Sequence, residues 1–171
     1  MLHALPAAAR AMSRSGSFQL AGLDPRPFQA LFALDDQALA ARGIVRRIAD
    51  STPGYPCRIS LTDAALGEAL LLLSYAHLPV SSPYNSAGPI FVRQGATRAM
   101  LAPGQVPAYV TRRLISLRAY DQGDMMVDAD VHEGTRVAAA LETLFQRRDV
   151  AYVDLHNARQ GCFSCRAEWV G

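Results

Sequence analysis

The sequence predicts an α+β fold, with a mostly antiparallel sheet and two or three helices packed on it in a single domain. Three observations predict it. Segments with strand patterning outnumber helical ones, and most neighbouring strands are joined by loops too short for a crossover helix. The length, 171 residues with half of them hydrophobic and 19% charged, suits one domain with one sizeable core.

The first seventeen residues are Ala-rich and basic and read as a disordered tail, or as the result of an upstream start with Met12 as the native one. The domain spans 18–171 and opens with a short strand at 18–23. Asp24 and Pro25 supply an N-cap and a first-turn proline for a short helix at 27–34. Asp35 and Asp36 cap a second helix at 37–42, which Gly43 stops. Strands follow at 44–49 and 57–61, separated by the turn Pro53-Gly54-Tyr55-Pro56. Residues 63–67 read as a loop leading into a buried strand at 69–76. Residues 79–89 form a Pro- and Ser-rich loop, and 90–93 another strand. The stretch 95–107 is irregular, with one helical turn after Pro107.

The last third is clearer. Residues 114–120 and 125–131 are alternating strands. A three-residue loop, 122–124, keeps their apolar residues on one face and sets Arg118 opposite Asp128. Residues 135–148 form a helix with Val137, Leu141, Leu144 and Phe145 on one face. Strands at 150–156 and 163–170 complete the chain.

Composition excludes several classes. A net charge of +2 with scattered basic residues argues against nucleic acid as a partner. The apolar runs are too short for a membrane helix. All 17 basic residues are Arg, which reads as codon bias in a GC-rich genome rather than as a functional device. Three cysteines, an odd number, read as reduced thiols in a cytoplasm.

No P-loop, G-x-G-x-x-G, nucleophile elbow or H-E-x-x-H is present, so the chemistry rests on local constellations. His156, Asn157, Arg159 and Cys162 lie within seven residues and could supply a base, an amide, an anion clamp and a nucleophile; alternation puts Tyr152, Asp154 and His156 on one face, where Asp154 can orient the imidazole. The alternative is a hydrogen-bonded hairpin loop with Cys162 as a small apolar filler. Cys57 and Arg58 follow a proline-bracketed turn, either as a reactive thiol with its cation or as a buried thiol. His77 closes a buried strand near Tyr84, either catalytic or a satisfied edge histidine. Cys162 and Cys165 have C-x-x-C spacing but too few partners for zinc, so neither a metal nor a cofactor is expected.

Pro53-Gly54-Tyr55-Pro56-Cys57-Arg58, the strand from Leu70 to His77, Ser82-Pro83-Tyr84, Gly88-Pro89-Ile90-Phe91, Leu117-Arg118-Ala119-Tyr120 and His156-Asn157-Ala158-Arg159 together resemble a bacterial family known as domain of unknown function 1203. The resemblance covers about 18–168 and implies one compact bacterial domain. It carries no assigned reaction, cofactor or partner. Gln160, where the family pattern suggests proline, and Cys165 depart from it.

Two readings follow. In the first, one pocket takes a small anionic molecule. Arg58, Tyr84, Arg118, Tyr120, Asn157 and Arg159 bind it, Cys57 or Cys162 is the nucleophile, and His77 or His156 the base. In the second, the chain is a non-catalytic interaction or oligomerising module that uses a flexible 95–107 segment. The sequence does not fix the oligomeric state.

Overall fold

The computed structural model describes residues 14–171. Its ten strands form two five-stranded sheets. The first has the order β1 (Ser17–Ala21), β10 (Phe163–Val170), β9 (Tyr152–Asn157), β7 (Leu114–Tyr120), β8 (Met126–Glu133). The second runs β2 (Val45–Ile48), β5 (Ala69–Leu78), β6 (Ser86–Arg93), β3 (Pro56–Cys57), β4 (Thr62–Asp63). Every pairing is antiparallel except β3 with β6. The chain is therefore α+β and mostly strand, as its patterning predicts.

Alternation decides which face of the first sheet is apolar. Ile115, Leu117 and Ala119 of β7, Val153 and Leu155 of β9, and Cys165 and Ala167 of β10 pack with Phe18 and Leu20 of β1 into one core. The helix α4 (Val137–Phe145) covers that core with Val137, Leu141 and Phe145, at i, i+4 and i+8. Burying each such side chain contributes about 1.5–3 kcal/mol. The opposite face of the same sheet carries Arg118, Tyr120, Asp154, His156 and Arg166, and is turned toward β5 of the second sheet.

The N-terminal helices are shorter than expected. Residues 27–34 divide into α1 (Arg26–Gln29) and a 3-10 turn (Ala30–Ala33). The next, α2 (Asp36–Ala40), is capped by Asp35, whose Oδ1 accepts the Ala38 N–H at 2.7 Å, and Gly43 follows at φ +67°. Ser17, assigned to the tail by the sequence, opens β1; residues 1–13 of that tail lie outside the described residues.

Three other expectations are corrected. The strand at 57–61 ends at Cys57, because Leu61 N–H bonds back to the Cys57 carbonyl at 3.0 Å and Leu61 takes φ +51°. Residues 86–89, assigned to a loop, belong to β6. The segment 95–107 is irregular but tied down: Ala99 N–H donates to Ile59 O, Leu101 N–H to Leu20 O, and Arg98 Nε to Gly22 O. Gly22 is required there, since a Cβ would lie 1.8 Å from the Ile59 carbonyl oxygen. The single helical turn after Pro107 is α3 (Ala108–Thr111).

The hairpin of β7 and β8 has the three-residue loop 122–124, with Asp121 N–H bonded to Met125 O. A bulge then inserts one residue, so Asp128 faces Ala119 and Arg118 faces Ala129. The expected Arg118–Asp128 pair does not form. Asp128 instead meets Arg147 at 2.6 Å, and Val127 packs against the core.

Candidate functional site

The residues singled out by the sequence separate into two places. The first is a cleft of about 430 Å³ between the ends of the two sheets, lined among others by Pro56, Arg58, Arg112, Arg113, Asn157 and Cys162. Arg58 is 1% exposed. The short β3 strand sends its backbone between β6 and the 58–61 turn: Arg58 N–H donates to Phe91 O, and Leu23 N–H donates to Arg58 O. The side chain then crosses toward the first sheet. Its Nε donates to the Phe163 carbonyl at 2.8 Å, Nη1 to the Pro56 carbonyl, and Nη2 to Cys162 Sγ at 3.0 Å. Among the described residues no carboxylate lies within ion-pair distance of it. A buried guanidinium without a carboxylate is uncommon, because desolvating the charge is costly unless something anionic or strongly accepting is near.

Cys162 is partly exposed on the loop between β9 and β10. Besides the Arg58 donor, its sulfur accepts from Asn157 Nδ2 at 3.4 Å, and its carbonyl accepts the Asn157 N–H at 2.9 Å. Asn157 is 4% exposed, and its Oδ1 is buried with no donor. On the rim, Arg112 and Arg113 share one carboxylate, Asp63, with Arg112 Nη2 2.9 Å from Oδ2. Three guanidinium groups thus line the cleft, two of them sharing the single carboxylate of Asp63, which makes it electropositive. Arg159 is exposed and lines an adjoining shallow hollow that shares Arg112, Arg113, Asn157 and Gln160 with the cleft.

The second place is the polar face of the first sheet. Register sets it in rows across β7, β9 and β10: Tyr120, Tyr152 and Glu168; then Arg118, Asp154 and Arg166; then Ser116, His156 and Phe163. Asp154 is fully buried and held by Arg166 at 2.7 and 3.0 Å. Burial pushes the Asp154 carboxyl up, and the Arg166 guanidinium opposes that push. Arg166 also lies over the Tyr152 ring, 4.0 Å from its centroid, and Tyr152 stacks on Tyr120 at 5.2 Å. Tyr84 meets Tyr120 edge-on at 5.9 Å. From β5, His77 stacks on Phe163 at 4.9 Å and meets His156 edge-on at 5.0 Å. Burial depresses both imidazoles, that of His156 to about 3 with Arg118 adding to the shift.

The structure brings Arg58, Asn157 and Cys162 together, with Arg159 nearby. It brings His77, His156, Arg118, Tyr120 and Tyr84 together elsewhere. Among the described residues no hydrogen bond joins a histidine to Cys162, and Asp154 accepts from Arg166 and from no imidazole. Cys57 belongs to neither place. It is buried in the second sheet, where its sulfur accepts the Arg93 N–H at 3.3 Å. Sequence reasoning passed over Arg112, Arg113, Asp63 and Arg166. The adjacent pair Arg112-Arg113 beside a proline-initiated turn is the signal that was there to use.

The model of a family described as protein of unknown function (DUF1203) matches residues 54–168, about two thirds of the chain. The chain belongs to this family. The DUF1203 match takes in both places, including Arg58, His77, Arg118, His156 and Cys162. No curated protein and no solved structure matches the chain.

Proposed function

We propose that the chain binds a small carboxylate- or phosphate-bearing molecule in the cleft above Cys162, with Cys162 as the group that reacts if chemistry follows. The observation that carries this reading is Arg58, a fully buried guanidinium whose third donor goes to a sulfur rather than a carboxylate. Reactive thiols sit in electropositive, partly exposed surroundings, and Cys162 is the cysteine of the three in such a place. Arg112 and Arg113 share a single carboxylate and retain capacity for an anion. The undonated Asn157 Oδ1 fits a ligand that carries an N–H or O–H beside its anionic group. Three free thiols suit a reducing compartment such as a bacterial cytoplasm, and no helix of the described residues is long and apolar enough to cross a membrane.

The test is a thermal-shift panel of small phosphate esters, hydroxy acids and amino acids, each beside a neutral analogue of the same size. A ligand at a hundred times its Kd adds about 2.7 kcal/mol of stability, which a midpoint shift of several degrees reports. The reading expects charged members to shift the midpoint, and expects Arg112→Gln to remove the shift. Equal shifts from charged and neutral members, or a response that survives Arg112→Gln unchanged, would sink it.

A further inference from the structure

We propose that His77, Asp154 and His156 form a binding site for one divalent transition-metal ion of the zinc class, with two imidazoles and one carboxylate as ligands. The site lies between the two sheets, apart from the Cys162 cleft, and does not depend on that cleft binding anything. One ligating atom from each of the three residues lies within 4.8 Å of the others, and among the described residues no other cluster of three such groups occurs.

The first argument is an accounting of polar atoms. Both ring nitrogens of His77 and Nε2 of His156 are shut off from solvent and have no hydrogen-bond partner. Buried polar atoms are nearly always partnered. One cation that accepts a lone pair from each ring accounts for two of these three nitrogens, Nε2 of His156 and one nitrogen of His77. Phe163, against which His77 stacks, offers no hydrogen bond in its place.

The second argument is the surroundings of the three ligands. His156 Nδ1 lies 3.2 Å from the Gly161 carbonyl, which accepts a proton held on that nitrogen and leaves the Nε2 lone pair free. A metal-binding imidazole characteristically donates its other ring N–H to a backbone carbonyl or carboxylate in this way. Asp154 is oriented in turn by Arg166, and its oxygens retain lone pairs beyond the two that Arg166 engages. Asp154 and His156 are two apart on one face of β9, and His77 meets them from β5, at the break in that strand's pairing between Tyr75 and Leu78.

Charge narrows the choice of ion. Arg118 faces Asp154 across β7 and β9, and Arg166 flanks it on β10, so one carboxylate is set against two guanidinium groups. An ion held by charge alone, such as Mg²⁺ or Ca²⁺, gains little there and prefers an all-oxygen cage. An ion that bonds strongly to imidazole tolerates the setting, which selects Zn²⁺, Co²⁺, Ni²⁺ or Fe²⁺. Two imidazoles and one carboxylate leave a position open, and Arg118, which has no ion-pair partner among the described residues, is placed to attract an anion to it.

The test is titration of the tag-free full chain with cobalt(II) chloride, followed by visible absorption, with zinc chloride as competitor and magnesium chloride as the negative control. One equivalent of Co²⁺ should bind and show ligand-field bands of nitrogen and oxygen coordination, with Zn²⁺ displacing it. His77→Gln, at a half-buried position, should fold and bind Co²⁺ at least tenfold more weakly, as should His156→Gln. Cys162→Ser and His132→Gln should bind as the parent does. Should His156→Gln fail to fold, His77→Gln decides alone. Folded protein that takes up no Co²⁺, uptake undiminished in His77→Gln, or thiolate bands that vanish in Cys162→Ser would each overturn the proposal.

Discussion

Replacing Arg58 by Lys keeps a buried positive charge but removes the planar fork that distributes it. Arg58 serves three acceptors on two stretches of chain: the carbonyl of Pro56 on β3 and, at consecutive residues around the start of β10, Cys162 Sγ and the carbonyl of Phe163. A single ammonium on a flexible stem reaches one of them well. About two charge-assisted hydrogen bonds are lost, each contributing about 1.5–3 kcal/mol, while the cost of burying the charge stays. The expected loss is therefore about 3–6 kcal/mol, a large share of the roughly 5–15 kcal/mol of a typical domain. The assay is urea unfolding followed by tryptophan fluorescence from Trp169. With a slope near 3 kcal/mol/M, suited to a chain of this size, the midpoint should fall by about 1–2 M at unchanged slope. A fall of less than about 0.3 M, close to 1 kcal/mol by the same slope, would refute the reasoning: Arg58 would not be tying the two sheets together.

Two further predictions follow from buried groups. Asp154→Asn removes the carboxylate that Arg166 grips at 2.7 and 3.0 Å and leaves a guanidinium facing Arg118. Breaking such a pair costs about 3–5 kcal/mol when both partners are buried, and the partial exposure of Arg166 brings this toward about 3 kcal/mol. The unfolding midpoint should drop by about 6–12 °C by calorimetry, and an unchanged midpoint would contradict the role assigned to Asp154. Stability should also decline in alkali. Burial raises the Cys165 thiol to about 12 and raises the Tyr109 hydroxyl, so the folded chain keeps protons that the unfolded chain loses from about pH 9 and pH 10. Their contribution is whole below pH 9 and falls as pH rises. Tyr109→Phe should flatten the decline above pH 10 by up to about 1.4 kcal/mol per pH unit, and parallel curves for the two proteins would argue against it.

How much of this was legible in the sequence depended on the range of the interaction. Local signals carried through: the Asp35 cap, the stop at Gly43, the strands of the last third, and the shared face of Tyr152, Asp154 and His156. Period-two alternation says which residues share a face but not what the face meets. That His77 descends on His156, while Cys162 is reached by Arg58 from 104 positions away, depends on how two sheets stack. One pocket was expected on that account, where the structure has two separate places. The hairpin shows a subtler limit. Its three-residue loop is as the alternation predicts, yet a bulge of one residue after it sets Arg118 opposite Ala129 instead of Asp128, with Val127 packed on the core and Asp128 paired to Arg147. Arg112 and Arg113 went unnoticed because a chain whose cations are all Arg gives no compositional contrast to an arginine that matters.

The central claim is that Cys162 lies at the floor of a cleft built to attract anions, and alkylation rates test it most directly. Iodoacetate carries a carboxylate and iodoacetamide does not, so their rate ratio at Cys162, divided by the same ratio for a small free thiol, isolates the field of the cleft. The account predicts a ratio about tenfold above that of the free thiol, as expected where a charged cleft concentrates its ligand. It predicts labelling at Cys162 ahead of the buried Cys57 and Cys165, slowing by inorganic phosphate, and a smaller ratio in Arg112→Gln. A ratio at or below that of the free thiol, with phosphate giving no protection, would contradict it.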